Sequence, residues 1–223
     1  MKNIPPKSAQ RLIRCYHLAQ ESRTTEKLYL TSRAIASLLG VDETQVRKDM
    51  ALIEIEGIPK KGYPVDRMIK KLETLFGIRK ERLAVLVGAG NLGKALINYP
   101  RFSRYGVRIG CAFEKNPEKH FTQVGGITVY PVEKMKEMAR TLKAEIGIIA
   151  IPPQEAQEMA MRLVEAGIRG IWNFSPTLLR LPPGVVVRNE CLETGLVTLL
   201  YELERGEGSC ISCAGTTSSP SLP

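Results

Sequence analysis

Gly88, Gly90 and Gly93 stand at G-x-G-x-x-G spacing, and Glu114 follows about twenty residues later. An apolar run from Leu83 to Val87 leads into the glycines and a helical pattern follows them, so the stretch predicts a strand, a tight turn and a helix start. The first glycine permits the turn, the second lets the backbone approach a pyrophosphate, and the third lets helix and strand pack closely. Phosphate would then meet unpaired amides at a helix N-terminus, where the macrodipole favours negative charge. Glu114 closes a second apolar run, Val107 to Phe113. A carboxylate there can accept hydrogen bonds from two ribose hydroxyls and repels a 2′-phosphate, which favours NAD(H) over NADP(H). Glycines also mark plain turns, and an acid can simply end a strand. The offset between them is what ties both to one ligand. The expected binding set is Gly88, Ala89, Gly90, Asn91, Leu92 and Gly93, with Glu114 and its neighbour Lys115.

Gly88, Gly93 and Lys94 also fit most of a P-loop, but Ala95 stands where a Ser or Thr hydroxyl should hold magnesium. Nucleotide hydrolysis is therefore not expected.

A second kind of chemistry is concentrated at the other end of the chain. The formal charge is +9 over 223 residues. Residues 1–80 hold 16 Lys/Arg against 9 Asp/Glu, and the remainder holds 16 against 14. So uneven a surplus points to a polyanion, either nucleic acid or an acidic membrane surface. Thr31 or Ser32 can cap a short helix through Leu39, Gly40 can end it in a left-handed turn, and Asp42 can cap a second helix through Ile55. Two helices joined by a glycine turn form a helix-turn-helix, and the second opens with Glu43, Thr44, Gln45, Arg47 and Lys48, the residues that would face a groove. Val46, Met50 and Ile53 fit an inward stripe. The blander alternative is a three-helix domain with a solvated, charged face. From Gly57 to Pro64 the chain reads as a short hairpin with Lys60 and Lys61 near its tip and Tyr63 beyond, which resembles a wing whose lysines contact phosphate, and Ser32 and Tyr63 join the expected DNA contacts.

These sites require particular elements to position them. Ser8 to Gln20 reads as an amphipathic helix and Val65 to Phe76 as another, with a domain boundary near Gly77 to Glu81. Beyond it, strands at Leu83–Val87, Val107–Phe113, Ile127–Tyr130, Ile146–Ile151 and from Gly170 to Asn173 alternate with helices, one opened by Pro131. The alternation predicts a parallel sheet covered on both faces. Ligands gather at the carboxyl ends of such strands, so Ile151, Pro152 and Pro153, and Asn173 to Pro176, belong beside the glycine turn. A strand at Val185–Val187 leads to a helix from about Asn189 to Leu203, whose apolar stripe (Leu192, Leu196, Leu199, Leu200, Leu203) requires a partner surface. From Gly206 the composition is that of a disordered tail.

Cys15, Cys111 and Cys191 sit in apolar segments and read as small buried hydrophobes. Cys210 and Cys213 form one C-x-x-C with no second pair to complete a zinc site, so no metal is expected. No apolar run approaches the ~20 residues that span a bilayer, and no signal-peptide core is evident, so the expectation is a cytoplasmic protein without a membrane partner.

Taken in order, Val46-Arg47-Lys48-Asp49, GAGNLGKAL-x-NYP (88–100), AFEKNPEK (112–119), AGI-x-GI-x-NFSP (166–176) and a C-terminal N-x-x-L helix resemble the Rex family of redox-sensing transcriptional repressors, over about residues 5–204. The resemblance implies an α/β chain with four parts. These are a winged helix-turn-helix domain (1–80), a Rossmann-type parallel-sheet domain (81–188), a helix exchanged between subunits (189–205) and a tail (206–223). It implies a homodimer on a palindromic operator in double-stranded DNA, released by NADH, with NAD+ permitting binding. Arg47 and Lys48 would lie on the recognition helix. Tyr99, Pro152 and Asn173, Phe174 and Ser175 would line the nicotinamide side.

The chain departs from the family after the recognition helix, at Ala51 to Gly57, and at the wing, Ile58 to Tyr63. An arginine usual in the first helix corresponds to His17, and an aspartate usual before the last helix to Cys191. In the family both join a polar network with the tyrosine at position 99. Losing them together avoids a stranded buried charge, which would cost about 3–5 kcal/mol, and implies that binding survives while NADH sensitivity weakens.

Two other readings remain. One is an NAD-dependent oxidoreductase with a basic accessory domain, for which the only histidines, His17 and His120, are poor candidate acid–base groups. The other is a nucleotide-binding scaffold that has lost DNA binding.

Overall fold

A computed structural model describes residues 4–206, so Cys210, Cys213 and nearly all of the expected tail lie outside the described residues. The chain forms two compact units that part between Arg79 and Lys80, with the end of the last helix, from Glu202, grouped with the first.

In the first unit α1 (Pro6–Thr24) precedes a two-residue strand β1 (Tyr29–Leu30), α2 (Ser32–Leu39), α3 (Glu43–Leu52), β2 (Tyr63–Pro64) and α4 (Val65–Phe76). Local chemistry sets the boundaries. The Thr31 hydroxyl accepts from the Ala34 amide at 3.1 Å and opens α2. Gly40, at φ 66°, ends it in the left-handed region. The Asp42 carboxylate accepts from the Thr44 amide at 2.6 Å and opens α3. Val46, Met50 and Ile53 are buried as the stripe predicts, alongside Leu12, Cys15, Tyr16 and Ala19 of α1 and Met68, Ile69 and Leu72 of α4.

Two expectations are corrected here. The second helix ends at Leu52 rather than Ile55, because Glu54 turns to φ 57° and the Ile55 amide folds back onto the Met50 carbonyl. Glutamate at a left-handed position carries no sequence signal, since glycine or asparagine is the usual occupant. The wing is less than a full hairpin. Ile58 and Gly62 share a single bridge around a turn with Lys60 at φ 63°, and the outgoing β2 pairs instead with β1. The two-residue β1 is too short to show a period of its own.

The second unit contains β3 (Arg82–Val87), α5 (Asn91–Ile97), β4 (Val107–Glu114), β5 (Gln123–Val124), β6 (Ile127–Pro131), α6 (Met135–Thr141), β7 (Ile146–Ile149), α7 (Pro153–Glu165), β8 (Gly170–Asn173), β9 (Val186–Asn189) and most of α8 (Leu192–Arg205), up to Tyr201. The sheet order is β5-β6-β4-β3-β7-β8-β9, parallel throughout except for β5 at one edge. The chain leaves β3 for β4 on one side and later enters β7 on the other, so the strand order reverses at β3. A crevice at the carboxyl ends of β3 and β7 follows from that topology.

One face packs Val85, Val87, Cys111, Phe113 and Ile149 against α6 and α7. The other carries a smaller cluster, Ala84, Leu86, Ala112 and Ile148, met by Leu96 and Ile97 of α5 and by Trp172 and Phe174. Coverage is therefore unequal, with several sheet residues on this second face, such as Ile109 and Ile146, only half-buried. The helix expected at Pro131 begins after a short 3-10 turn, Val132–Lys134. Strand β7 stops at Ile149 and α8 starts at Leu192, since Asn189 still pairs with Asn173 in the sheet. Cys15 and Cys111 are buried, and burial pushes each thiol up to about 12. Cys191 is exposed, contrary to expectation, because it lies in the connection between β9 and α8.

A polar tie joins α1 to α3. The Arg11 guanidinium bonds both carboxylate oxygens of Asp49, at 2.6 and 2.9 Å, and also reaches the Ser8 hydroxyl at 3.0 Å. Asp49 is buried, and its charge holds Arg11 above the usual guanidinium value. Asp49→Ala leaves Arg11 uncompensated. It should cost about 2–3 kcal/mol in urea denaturation, below the figure for a fully buried pair, because the Arg11 side chain keeps 19% of its surface in water.

Candidate functional site

The turn after β3 behaves as its glycines require. Gly88 has φ +99°, and a Cβ there would strike the carbonyl oxygen of Ala150 and the Ile151 side chain. A Cβ on Gly93 would collide with the carbonyl oxygen of Gly88, so α5 crosses the end of β3 at a distance only glycine permits. A Cβ on Gly90 would meet nothing within 4 Å. The open side of the loop is thus at the middle glycine, where a pyrophosphate would approach.

A cleft of about 640 Å³ opens beside this turn, within the usual range for small-molecule sites. Gly88, Gly90, Glu114, Lys115, Ile151 and Pro152 line it. Sequence reasoning missed the rest of the wall: Asn116 and Lys119 after β4, Val132 and Glu133 after β6, and Glu155, Met159 and Arg162 on α7. Lys119 lies in the motif AFEKNPEK, but its reach into the cleft depends on the 3-10 turn Pro117–Lys119. That turn is capped by the Asn116 side chain, which accepts from the Glu118 amide at 3.1 Å. The α7 residues show only helical spacing in the sequence.

Glu114 is the charged centre of the cleft. Its carboxylate accepts from the amides of Ala89 (3.0 Å), Lys115 (2.9 Å) and Asn116 (3.3 Å) and from the Lys119 ammonium (3.3 Å). Burial alone would raise its pKa, but the amides of Asn116 and Lys115 and the charge on Lys119 outweigh burial and hold the group below the usual carboxylate range. It therefore stays ionised and able to accept from ribose hydroxyls. Across the mouth, Lys115 pairs with Glu155 at 3.2 Å. The ring nitrogen Nε2 of His120 donates to the Glu114 carbonyl at 2.9 Å.

Of the residues expected on the nicotinamide side, Pro152 lines this cleft, whereas Tyr99, Asn173, Phe174 and Ser175 do not. Tyr99 is 47% exposed and begins a row of ring contacts, to Phe102 at 5.0 Å, then Trp172 at 5.4 Å and Phe174 at 4.8 Å. Asn173 is fully buried. Its amide nitrogen donates to the carbonyls of Ser175 and Thr177 and to Asn189 Oδ1, and its oxygen accepts from the Ser175 amide. Its polar atoms are spent inside the loop, so it braces the loop rather than reaching outward. Ser175 is buried, and its hydroxyl is the buried side-chain oxygen without a hydrogen bond among the described residues. A ligand carboxamide is a group that could satisfy it. Of the remaining expected residues, Ala89 is buried, Leu92 and Pro153 are half-buried and Asn91 is exposed at the start of α5.

On the helix-turn-helix, Thr44, Arg47 and Lys48 are exposed on α3, as are Lys60 and Lys61 at the wing turn. The Lys61 ammonium sits 5.7 Å from the centre of the Tyr29 ring. Tyr63 is corrected from an expected DNA contact to a core residue. It is 7% exposed, with its ring against Gly57. Gln45 is half-buried and donates to Asp49 at 3.1 Å, and Ser32 is half-buried and donates to Glu43 at 3.2 Å.

Comparison with known proteins adds to this geometry. A family described as "Putative DNA-binding protein N-terminus" matches residues 3–51, and one described as "CoA binding domain" matches residues 79–177. The "Redox-sensing transcriptional repressor Rex" of Treponema denticola is 35% identical over 192 residues, covering 86% of this chain and 91% of the relative. The chain belongs to the Rex family. The Rex protein of Desulfitobacterium hafniense is 38% identical over 78% of this chain and 83% of its own. Among solved structures, RSP, a Rex-family repressor, in complex with β-NAD+ and operator DNA is similar at a TM-score of 0.86 and 31% identity. The match covers 93% of this chain and 95% of that one. RSP with β-NADH is similar at 0.84. Rex relatives thus span both units of the chain. His17 and Cys191, where the family resemblance implies an arginine and an aspartate, are both exposed here, so neither residue strands a buried charge.

The glycines make separable predictions. Gly93→Ala forces a methyl against a backbone carbonyl and should cost about 2 kcal/mol by chemical denaturation. Gly90→Val should leave the unfolding midpoint within a degree or two while abolishing NADH binding by fluorescence titration. Loss of stability in the second variant would contradict the open geometry at Gly90.

Proposed function

We propose that the chain is a transcriptional repressor that binds NAD(H) in the second unit, binds operator DNA through the first, and is released from DNA by NADH. The observation that carries the ligand reading is the Gly88–Gly93 turn, open only at Gly90, facing an ionised Glu114 across one cleft. The DNA reading rests on α2 and α3 capped at both N-termini, with Thr44, Arg47 and Lys48 exposed on α3 and Lys60 and Lys61 on the wing turn. The relatives' names, and the RSP structures with β-NAD+, operator DNA and β-NADH, support both. We assign residues 1–80 to DNA binding, 81–188 to the dinucleotide and 189–205 to dimerisation.

The dimer reading is supported by α8, where Leu196, Leu199, Leu200 and Leu203 are each more than half exposed in the single chain. A partner subunit that receives this helix would remove the stripe from water. Such a dimer presents two recognition helices to a palindromic operator. No described helix is long and apolar enough to cross a membrane, and the DNA-binding reading favours a cytoplasmic location. An oxidoreductase would need an acid–base group beside the nicotinamide, and His120 is instead bonded to the Glu114 carbonyl. This favours a role without catalysis, as in the repressors the chain is similar to.

Mobility-shift titration on a palindromic duplex library should show binding that NADH reverses and NAD+ does not. Arg47→Ala should weaken it at least tenfold with NADH affinity unchanged. Turnover of NADH without DNA binding would establish the oxidoreductase instead.

The same assay tests the departures at His17 and Cys191. With the family's arginine and aspartate both absent, a given rise in NADH should release less DNA than in relatives that retain them. Combining His17→Arg with Cys191→Asp should increase NADH-driven release several-fold. An unchanged response in that double variant would show that the two positions do not set sensitivity.

A further inference from the structure

The helix-turn-helix contains a carboxylate that its positive surface does not explain. Glu43 is the first residue of α3, and three donors converge on it. Arg33 Nε reaches Oε1 at 3.0 Å, while the Arg47 guanidinium and the Ser32 hydroxyl reach Oε2 at 2.8 and 3.2 Å. Two of these come from the first turn of α2 and one from the next turn of α3, so Glu43 bridges the N-terminal ends of both helices. Those ends carry the positive poles of the helix dipoles and would otherwise attract phosphate with no sequence preference. The geometry is open to water: Arg33 and Arg47 keep 88% and 60% of their side-chain surface, against 29% for Glu43. So exposed an ion pair contributes little to folding. What it does fix is direction, since among the described residues Glu43 is the carboxylate hydrogen-bonded to Arg47, while Asp42 acts on it only through charge.

Building on the DNA-binding reading, we propose that Glu43 is a specificity-determining positioning residue, which holds Arg47 and Arg33 in one orientation and cancels part of the local positive field. It trades affinity for discrimination. Without its charge the arginines are free to pair with any phosphate, and such contacts carry no sequence information. Loss of the negative charge next to the backbone also favours every duplex equally. Arg33, Arg47 and Ser32 pull the Glu43 carboxyl below its ordinary range, with Arg33 the largest influence, so it remains charged at neutral pH.

The test compares wild type, Glu43→Gln, Glu43→Ala and Glu43→Asp on two duplexes, the operator that wild type selects from a randomised library and a scrambled sequence of equal length. Glu43→Gln should bind the scrambled duplex about three- to tenfold more tightly and lower the operator-to-scrambled ratio about tenfold. Its salt slope on the scrambled duplex should steepen by about 1, as one added phosphate contact requires. Glu43→Ala should discriminate no better than Glu43→Gln, and Glu43→Asp should recover part of the ratio. An unchanged ratio in Glu43→Gln overturns the proposal, as does a parallel loss on both duplexes with a lowered unfolding midpoint, which would make Glu43 merely structural. Failure of wild type itself to distinguish the duplexes overturns the DNA-binding reading and this inference with it, whereas NADH binding to each variant should be unaltered in every case.

Discussion

The approach of α5 to the carbonyl of Gly88 is the constraint on which the second unit depends. Because a Cβ at position 93 would collide with that oxygen, the helix can cross the end of β3 only through glycine. The crossing in turn requires Gly88 at φ +99°, with Ala150 and Ile151 of the neighbouring strand end pressed against it. Three backbone segments are thereby fixed around one point at the place where strand order reverses. Glu114, reaching back from the end of β4 to the Ala89 amide, ties a fourth to it. The cleft is therefore a product of backbone packing, and its polar groups are held before any ligand arrives, which reduces the ordering cost of binding.

The first unit solves a different problem, that of presenting a cationic surface on a stable core. Its two carboxylates on α3 divide the work by depth. Asp49 is buried, with Arg11 on one side and Gln45 on the other, so it joins α1 to the recognition helix and fixes the tilt at which that helix leaves the core. Glu43, six residues earlier and half-buried at the surface, organises the exposed arginines. A purely basic helix would bind polyanions more strongly and with less orientation.

How much of this was legible in the sequence follows from the range of each interaction. Caps, left-handed glycines and the G-x-G-x-x-G turn are decided by residues within a few positions, and Thr31, Gly40, Asp42 and Gly88 sit where spacing placed them. Helix α4 matches the expected Val65–Phe76 because its stripe and its glycine cap agree. What sequence could not reveal was non-local or against type. Glu54 shortens α3 from a position normally held by glycine, β1 exists only because β2 pairs with it, and Tyr63 is buried by that pairing rather than presented to DNA. Similarly, Asn173 reads as a polar ligand in sequence, but the next strand brings Asn189 alongside and the loop consumes its hydrogen bonds.

This geometry also limits where redox discrimination can arise. NADH and NAD+ share the adenosine and the pyrophosphate and differ at the nicotinamide, in one hydride and one positive charge. A ligand that binds two states of a protein equally shifts nothing between them, however tightly it is held. On the proposed reading the groups around Glu114 would meet the shared part of the dinucleotide and so supply affinity without preference. Preference has to come from contacts at the other end, where the structure offers a half-exposed Tyr99 on a row of aromatic rings and the buried, unpaired hydroxyl of Ser175. Aromatic rings favour a cationic nicotinamide through their faces, and His17 and Cys191, where the family resemblance implies a charged pair, are both exposed. The cleft can thus remain intact through changes that retune the response, because affinity and discrimination reside in different residues.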